Sequence, residues 1–241
     1  MTVVAEPPVD KPLPLGELLA ETIQVYRARI WPALGLGAIA ALGFLMAGLL
    51  PDVLGIVILA VFFTALYAAA SRLVAGASFS DAWAQVGRRG GALLVLTLVV
   101  SVPFALGIFI RAADPLAGLV FILFAVCWVV FLGFSIPISV TPRAEGEVGD
   151  GFLHTLAVSL RGSIGLARTE FLHAVGVVAA LLFVYGLLGP FLAAALVGFA
   201  ENSVEAAFTT SQVVLAPFFF LGLAMLFYEQ SARARVAAVG R

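Results

Sequence analysis

Six stretches with no Asp, Glu, Lys or Arg run through this chain, at residues 30–50, 53–70, 91–110, 116–140, 172–199 and 206–228. A charged side chain at the centre of a membrane helix costs about 2.5–3.5 kcal/mol on insertion scales, so such runs mark segments that hydrocarbon tolerates. Each is close to or above the ~20 residues that cross a ~30 Å hydrocarbon core. The first two cannot be one helix, because 41 residues at ~1.5 Å per residue would reach roughly 60 Å. Pro51 is therefore expected to mark a hairpin turn. The runs lack period-2 alternation, which excludes barrel strands and leaves helices as the only way to satisfy the backbone in lipid. Composition agrees, with 63% apolar and 11% charged residues against roughly 45–50% and about 25% in soluble domains.

The basic residues predict an orientation. Twelve of the thirteen Lys and Arg lie before the first run, between the second and third, between the fourth and fifth, or after the sixth. Only Arg111 falls on the other side. The positive-inside rule then places both termini in the cytoplasm. Arg outnumbers Lys twelve to one, which suggests a GC-rich coding bias and a bacterial plasma (inner) membrane. Residues 1–14, with four prolines and no apolar core after a basic start, read as a disordered tail and not as a signal peptide. Residues 15–228 read as a single six-helix membrane domain and 229–241 as a cytoplasmic tail.

The basic segments carry helical apolar spacing. Leu15, Leu18, Leu19, Ile23, Tyr26 and Ile30 recur at helical intervals, and so do Phe79, Trp83 and Val86, and Leu153, Leu156, Leu160 and Ile164. Ser80 or Asp81 is the expected N-cap of the second helix and Asp150 of the third. The chain thus reads as an all-α integral membrane protein with six transmembrane helices as three hairpins, each preceded by a cytoplasmic-side amphipathic helix. The plainer reading is that any polar linker between spans can turn helical on a bilayer surface.

The opening Leu15-Gly16-Glu17-Leu18-Leu19-Ala20-Glu21-Thr22-Ile23-Gln24-Val25-Tyr26-Arg27, with Trp31-Pro32 after it, resembles the start of the bacterial glycerophosphoryl diester phosphodiesterase membrane-domain family. Ser159-Leu160-Arg161 through Leu166-Ala167-Arg168 is similar to that family's central stretch, and Phe227-Tyr228-Glu229 with Arg233 and Arg235 is similar, more loosely, to its ending. The resemblance implies a six-helix membrane fold and an association with the membrane. It brings no catalytic residue, because the family's catalytic barrel is a separate soluble domain, and the longest segment between spans here has only 30 residues, 141–170.

The search for chemistry is short. Proton-coupled transporters and intramembrane proteases place ionisable residues at membrane depth, and the six runs hold no Asp, Glu, Lys or Arg. Glu170-Phe171-Leu172-His173 puts two ligand types on one helical face, but zinc needs three or four ligands and His154 is the only other histidine. No catalytic residue, metal site or cofactor is assigned. Gly87-Arg88-Arg89-Gly90-Gly91 lacks the Walker spacing. Arg27, Arg29, Arg88, Arg89, Arg161 and Arg168 are candidate lipid-headgroup contacts, since arginine pairs with phosphate and anionic leaflets attract basic segments. The simpler role for them is to set topology while snorkelling. Thr97, Ser101, Ser135, Ser139 and Gln212 are a candidate polar path, against the plainer reading that small and hydroxyl residues serve helix packing. Pro103, Pro137, Pro190 and Pro217 fall inside four of the six runs, where each removes one helical hydrogen bond and favours a kink, and Pro190, inside the longest run, predicts a bend or break there.

Two functions follow as expectations. One is a non-catalytic multi-pass protein that organises membrane lipids or an unidentified membrane protein partner. The alternative is a small transporter or flippase for an uncharged or amphiphilic substrate. A net charge of −1 leaves no basic footprint for nucleic acid.

Overall fold

The computed structural model describes residues 9, 11–141, 151–197 and 203–239, and every regular element among them is helical. The helices are α1 (Leu15–Ala28), α2 (Ile30–Gly48), α3 (Asp52–Val74), α4 (Phe79–Arg88), α5 (Gly90–Ala113), α6 (Pro115–Gly133), α7 (Ser135–Val140), α8 (Phe152–Thr169), α9 (Phe171–Leu196) and α10 (Val204–Val239). Six helical segments are long and apolar enough to cross a membrane: α2, α3, α5, α6 with α7, α9 and α10.

Local chemistry sets the boundaries. Asp114 caps α6 by accepting from the N–H groups of Leu116 and Ala117 at 2.9 and 3.1 Å, with Pro115 in the first turn. The N-cap of α4 is Ser78, not Ser80 or Asp81. Its Oγ accepts from the Asp81 N–H at 3.1 Å and donates to the Asp81 carboxylate at 2.6 Å. Ser78 thus caps the helix through its side chain, and α4 begins at Phe79, two or three residues before the expected cap allows. Asp150 lies outside the described residues, and Gly151 stands at the cap of α8. Gly76, at φ 94°, makes the turn between α3 and α4.

Of the four span prolines, one stands just after an interruption and three lie within continuous helices. Pro190 leaves α9 continuous, and Pro103 and Pro217 likewise lie inside α5 and α10. The break falls in the fourth span, at Phe134 between α6 and α7. Pro137 follows three residues later, lacks an N–H and crowds the carbonyl one turn back, so the helix is interrupted just before it.

In lipid no hydrophobic force drives helix to helix, so close packing must. The α10 helix is the hub, with α1, α2, α3, α8 and α9 packed around it, while α5 packs chiefly on α6. Ala33, Gly37 and Ala41 are buried on one face of α2, and Gly37 lies so near the Val213 carbonyl that an added Cβ would stand 1.9 Å from its oxygen. Further along, Phe44 meets Phe63 and Phe208 edge to face at 5.7 Å, and Phe63 meets Phe220 at 5.2 Å, tying α2, α3 and α10. The α1 helix runs antiparallel to α10: Leu13 N–H donates to Glu229 and the Tyr26 hydroxyl to the Val214 carbonyl, both at 3.3 Å. Its buried Leu18 and Thr22 therefore belong to the bundle.

The ends expected as tails are part of the same packing. The helix of the sixth span continues unbroken past residue 228 to Val239. Val9 and Leu13, within the segment read as an N-terminal tail, are 4% and 6% exposed, because they dock on that extension.

Gly37→Ala should force α2 away from α10 and cost about 1–3 kcal/mol, the range for overpacking. Gly176→Ala in α9, where a new Cβ meets nothing within 4 Å, should be neutral or stabilising by up to about 1 kcal/mol. Thermal denaturation of both variants in the same detergent checks the contrast.

Candidate functional site

Two places hold groups that can bind something: the basic end of the bundle and a cavity at mid-span.

At the basic end, the polar ends of the helices are stitched together. Arg29, at the α1–α2 junction, donates to the Ala77 carbonyl at 2.9 Å. Arg88, the last residue of α4, donates to Gln85 at 2.9 Å, and Arg89 reaches Thr155 of α8 at 3.4 Å. Arg27, Arg161 and Arg168 are exposed. Arg88 is exposed as well, so of the six candidate headgroup arginines two, Arg29 and Arg89, are held by groups from other segments and four are turned outward, Arg88 with a bond along its own helix.

The α8 helix shows why the division arises. Its buried face is Thr155, Ser159, Ser163 and Ala167, spaced four residues apart. Small residues at this spacing let it lie close to its neighbours, and Ser163 donates to the Phe131 carbonyl at 2.7 Å. Leu156, Leu160 and Leu166 flank that face against the core. Arg161 and Arg168 project from the opposite side, while Phe152 and Leu153 are 48% and 76% exposed. On α4, Trp83 is likewise packed against the core, with Phe79.

A second set of charges was not legible as a site. Glu229 is fully buried, and its carboxylate accepts from Arg233 one turn on, from Leu13 N–H, and from Gln230 at 3.2 Å. The Arg233 guanidinium also pairs with Glu170 and donates to the Leu13 carbonyl at 3.0 Å. His173 Nε2 lies 3.6 Å from Glu229, and Arg235 donates to the Val9 carbonyl at 3.0 Å. The cluster joins the start of α9, the extension of α10 and the chain segment leading into α1. Glu170 and His173, noted for their spacing, do meet here, but the positive charge between the two carboxylates is the guanidinium of Arg233. Among the described residues no group of three or more His, Cys, Asp or Glu is arranged to hold a metal ion. Partial burial raises the Tyr26 phenol above its ordinary pKa, which keeps its proton available to Val214.

The i,i+4 spacing of Glu229 and Arg233 was the available signal. It lies in the segment read as a cytoplasmic tail, and nothing in the sequence says that Val9 and Leu13 return to it.

At mid-span, a cavity of about 330 Å³ lies among α3, α5, α6, α7, α9 and α10. Its walls include Ala60, Phe63, Thr64, Thr97, Ser101, Val126, Leu182 and Phe220. Of the candidate polar path, only Thr97 and Ser101 reach it. Their hydroxyls turn back to the Leu93 and Thr97 carbonyls at 2.8 and 2.6 Å, so the cavity meets mainly their methyl and methylene groups. Ser135 and Ser139 bond in the same way to Leu132 and Ile136. Gln212 is spent on Tyr185, Ser211 and the Phe208 carbonyl. These five residues do not line one path.

Replacing Arg233 with Met should leave the buried Glu229 charge unpaired and destabilise the protein by about 3–5 kcal/mol. Glu170→Gln, at a side chain 49% exposed, should cost no more than about 1 kcal/mol. Urea or thermal denaturation in detergent would show the difference.

Comparison of the chain with protein-family models, with curated proteins and with solved structures yields no match.

Proposed function

We propose that this chain is a non-catalytic multi-pass protein of the bacterial plasma membrane that organises lipid headgroups at the cytoplasmic leaflet, and that it is a relative of the glycerophosphoryl diester phosphodiesterase membrane-domain family. In this reading the spans form three hairpins, α2–α3, α5 with α6 and α7, and α9–α10. The shorter helices α1, α4 and α8 precede them on the cytoplasmic side, with both termini. A membrane protein partner at the same surface is the second form of this proposal.

The observation that carries the reading is the outward placement of Arg27, Arg161 and Arg168, with the exposed apolar residues Phe152 and Leu153 at the start of the helix that bears Arg161 and Arg168. Basic side chains next to exposed apolar ones suit the boundary between phosphate headgroups and acyl chains. Arg29 and Arg89, bonded to other segments of the protein, serve the scaffold that presents them, and the exposed Arg88 stands with the outward set. The transporter or flippase alternative rests on the mid-span cavity. Against it stands the dispersal of Thr97, Ser101, Ser135, Ser139 and Gln212, whose polar atoms satisfy the backbone or one another.

Two measurements test the proposal. Arg27→Gln, Arg161→Gln and Arg168→Gln should each lower the retention of phosphatidylglycerol relative to phosphatidylethanolamine after mild extraction, by about fivefold for a contribution of ~1 kcal/mol per arginine. An unchanged lipid ratio in the triple variant would remove the headgroup role. For orientation, Ser80→Cys should be shielded from a membrane-impermeant maleimide in intact cells and Ser203→Cys labelled. The reverse pattern would invert the topology.

A further inference from the structure

We propose that the mid-span cavity is a binding site for one acyl chain of a membrane phospholipid. This inference is independent of the arginine reading, since it concerns different residues at a different depth.

The lining residues fall in the middle of their helices: Ile56 to Tyr67 on α3, Thr97 to Ser101 on α5, Val126 and Val129 on α6, and Phe219 to Leu223 on α10. No charged residue lines the cavity, and the hydroxyls of Thr97, Ser101 and Tyr67 are directed to backbone carbonyls. An apolar cavity of this kind stays dry, because a water molecule needs two to four polar partners. Left empty, the walls would lose dispersion contacts along their whole surface. A cavity of ~150 Å³ accommodates benzene, so about 330 Å³ has room for roughly a dozen carbon atoms by the same scale.

The small residues expected to bring helices together explain why the space exists. Ala33, Gly37 and Ala41 on α2 do close on α10. Ala60 and Thr64 on α3, and Thr97 and Ser101 on α5, instead face the cavity. Here α5 is drawn toward α6, and short side chains do not bridge the gap that results.

Depth and charge select the occupant. At mid-span the surrounding medium is phospholipid chains, and the lining residues Ile56, Ala60 and Ser101 are half-buried, beside the exposed Val57 and Val102. A charged end does not enter walls with no cation to pair it, so hydrocarbon alone goes in, and the hydrocarbon that fills this depth of a bilayer is the acyl chains of phospholipids. A phospholipid can leave its headgroup at the interface and insert only hydrocarbon.

The test uses the full chain in vesicles of phosphatidylethanolamine and phosphatidylglycerol doped with phosphatidylcholine carrying a diazirine at mid-chain. After illumination, adducts located by mass spectrometry should fall on Ala60, Thr64 or Val126. Ala60→Phe should reduce these adducts about tenfold while leaving those on lipid-facing Leu98 unchanged. Val126→Phe fills the same space from the opposite wall and stands in if Ala60→Phe fails to fold. Adducts confined to lipid-facing positions, or equal cavity labelling in a folded filled variant, would overturn the assignment. So would cavity labelling by a diazirine fatty acid and not by the phospholipid, or reaction of Thr97→Cys with a water-soluble maleimide.

Discussion

Hydrocarbon does not accept an unpaired charge, and the rest of this structure is arranged around that constraint. Charge-free helices thread the apolar region, and charge collects where helices end. At the basic end the cost of bringing ionic groups together is offset by pairing. Arg233 lies between Glu229 and Glu170 and also bonds the Leu13 carbonyl, so one guanidinium closes α9, α10 and the lead into α1. A buried pair of this sort is weak as a source of net stability but strict about geometry, because either partner alone is expensive to bury.

The same constraint explains how hydroxyls behave inside the bundle. In lipid, a serine or threonine finds its cheapest partner in the carbonyl three or four residues back on its own helix. Thr97, Ser101, Ser135 and Ser139 all do so. Side chains that look from composition like a route for polar solutes are thereby converted into small, nearly apolar ones. Where two such faces lie opposite without a large residue between them, a cavity opens, and its chemistry is that of hydrocarbon.

Legibility was uneven for physical reasons. The spans were readable because length and absence of charge are one-dimensional properties, and the structure contains six helices of the required length and apolarity. Span ends were read within a few residues except at α10, which runs on from residue 228 to Val239 because its extension is packed against the segment leading into α1. The prolines had unequal effects: Pro190 sits in an unbroken helix, while an interruption precedes Pro137. A proline removes one hydrogen bond anywhere, but whether the helix parts there depends on its neighbours. The face that α8 buries was also hidden, since the leucine pattern drew attention from the Thr155, Ser159, Ser163 and Ala167 stripe, which packs closer because it is small.

What the residues alone determined is the medium: a chain with six long charge-free runs must place them in lipid as helices, because nothing else satisfies the backbone there. What only the tertiary structure decided is which polar groups remain available. Glu229 is a buried partner of Arg233 because Val9 and Leu13 dock on α10, and Ala60 faces a cavity because α5 pairs with α6. Both outcomes depend on contacts between segments distant in sequence, and the pattern of residues along one helix carries no record of what packs against it.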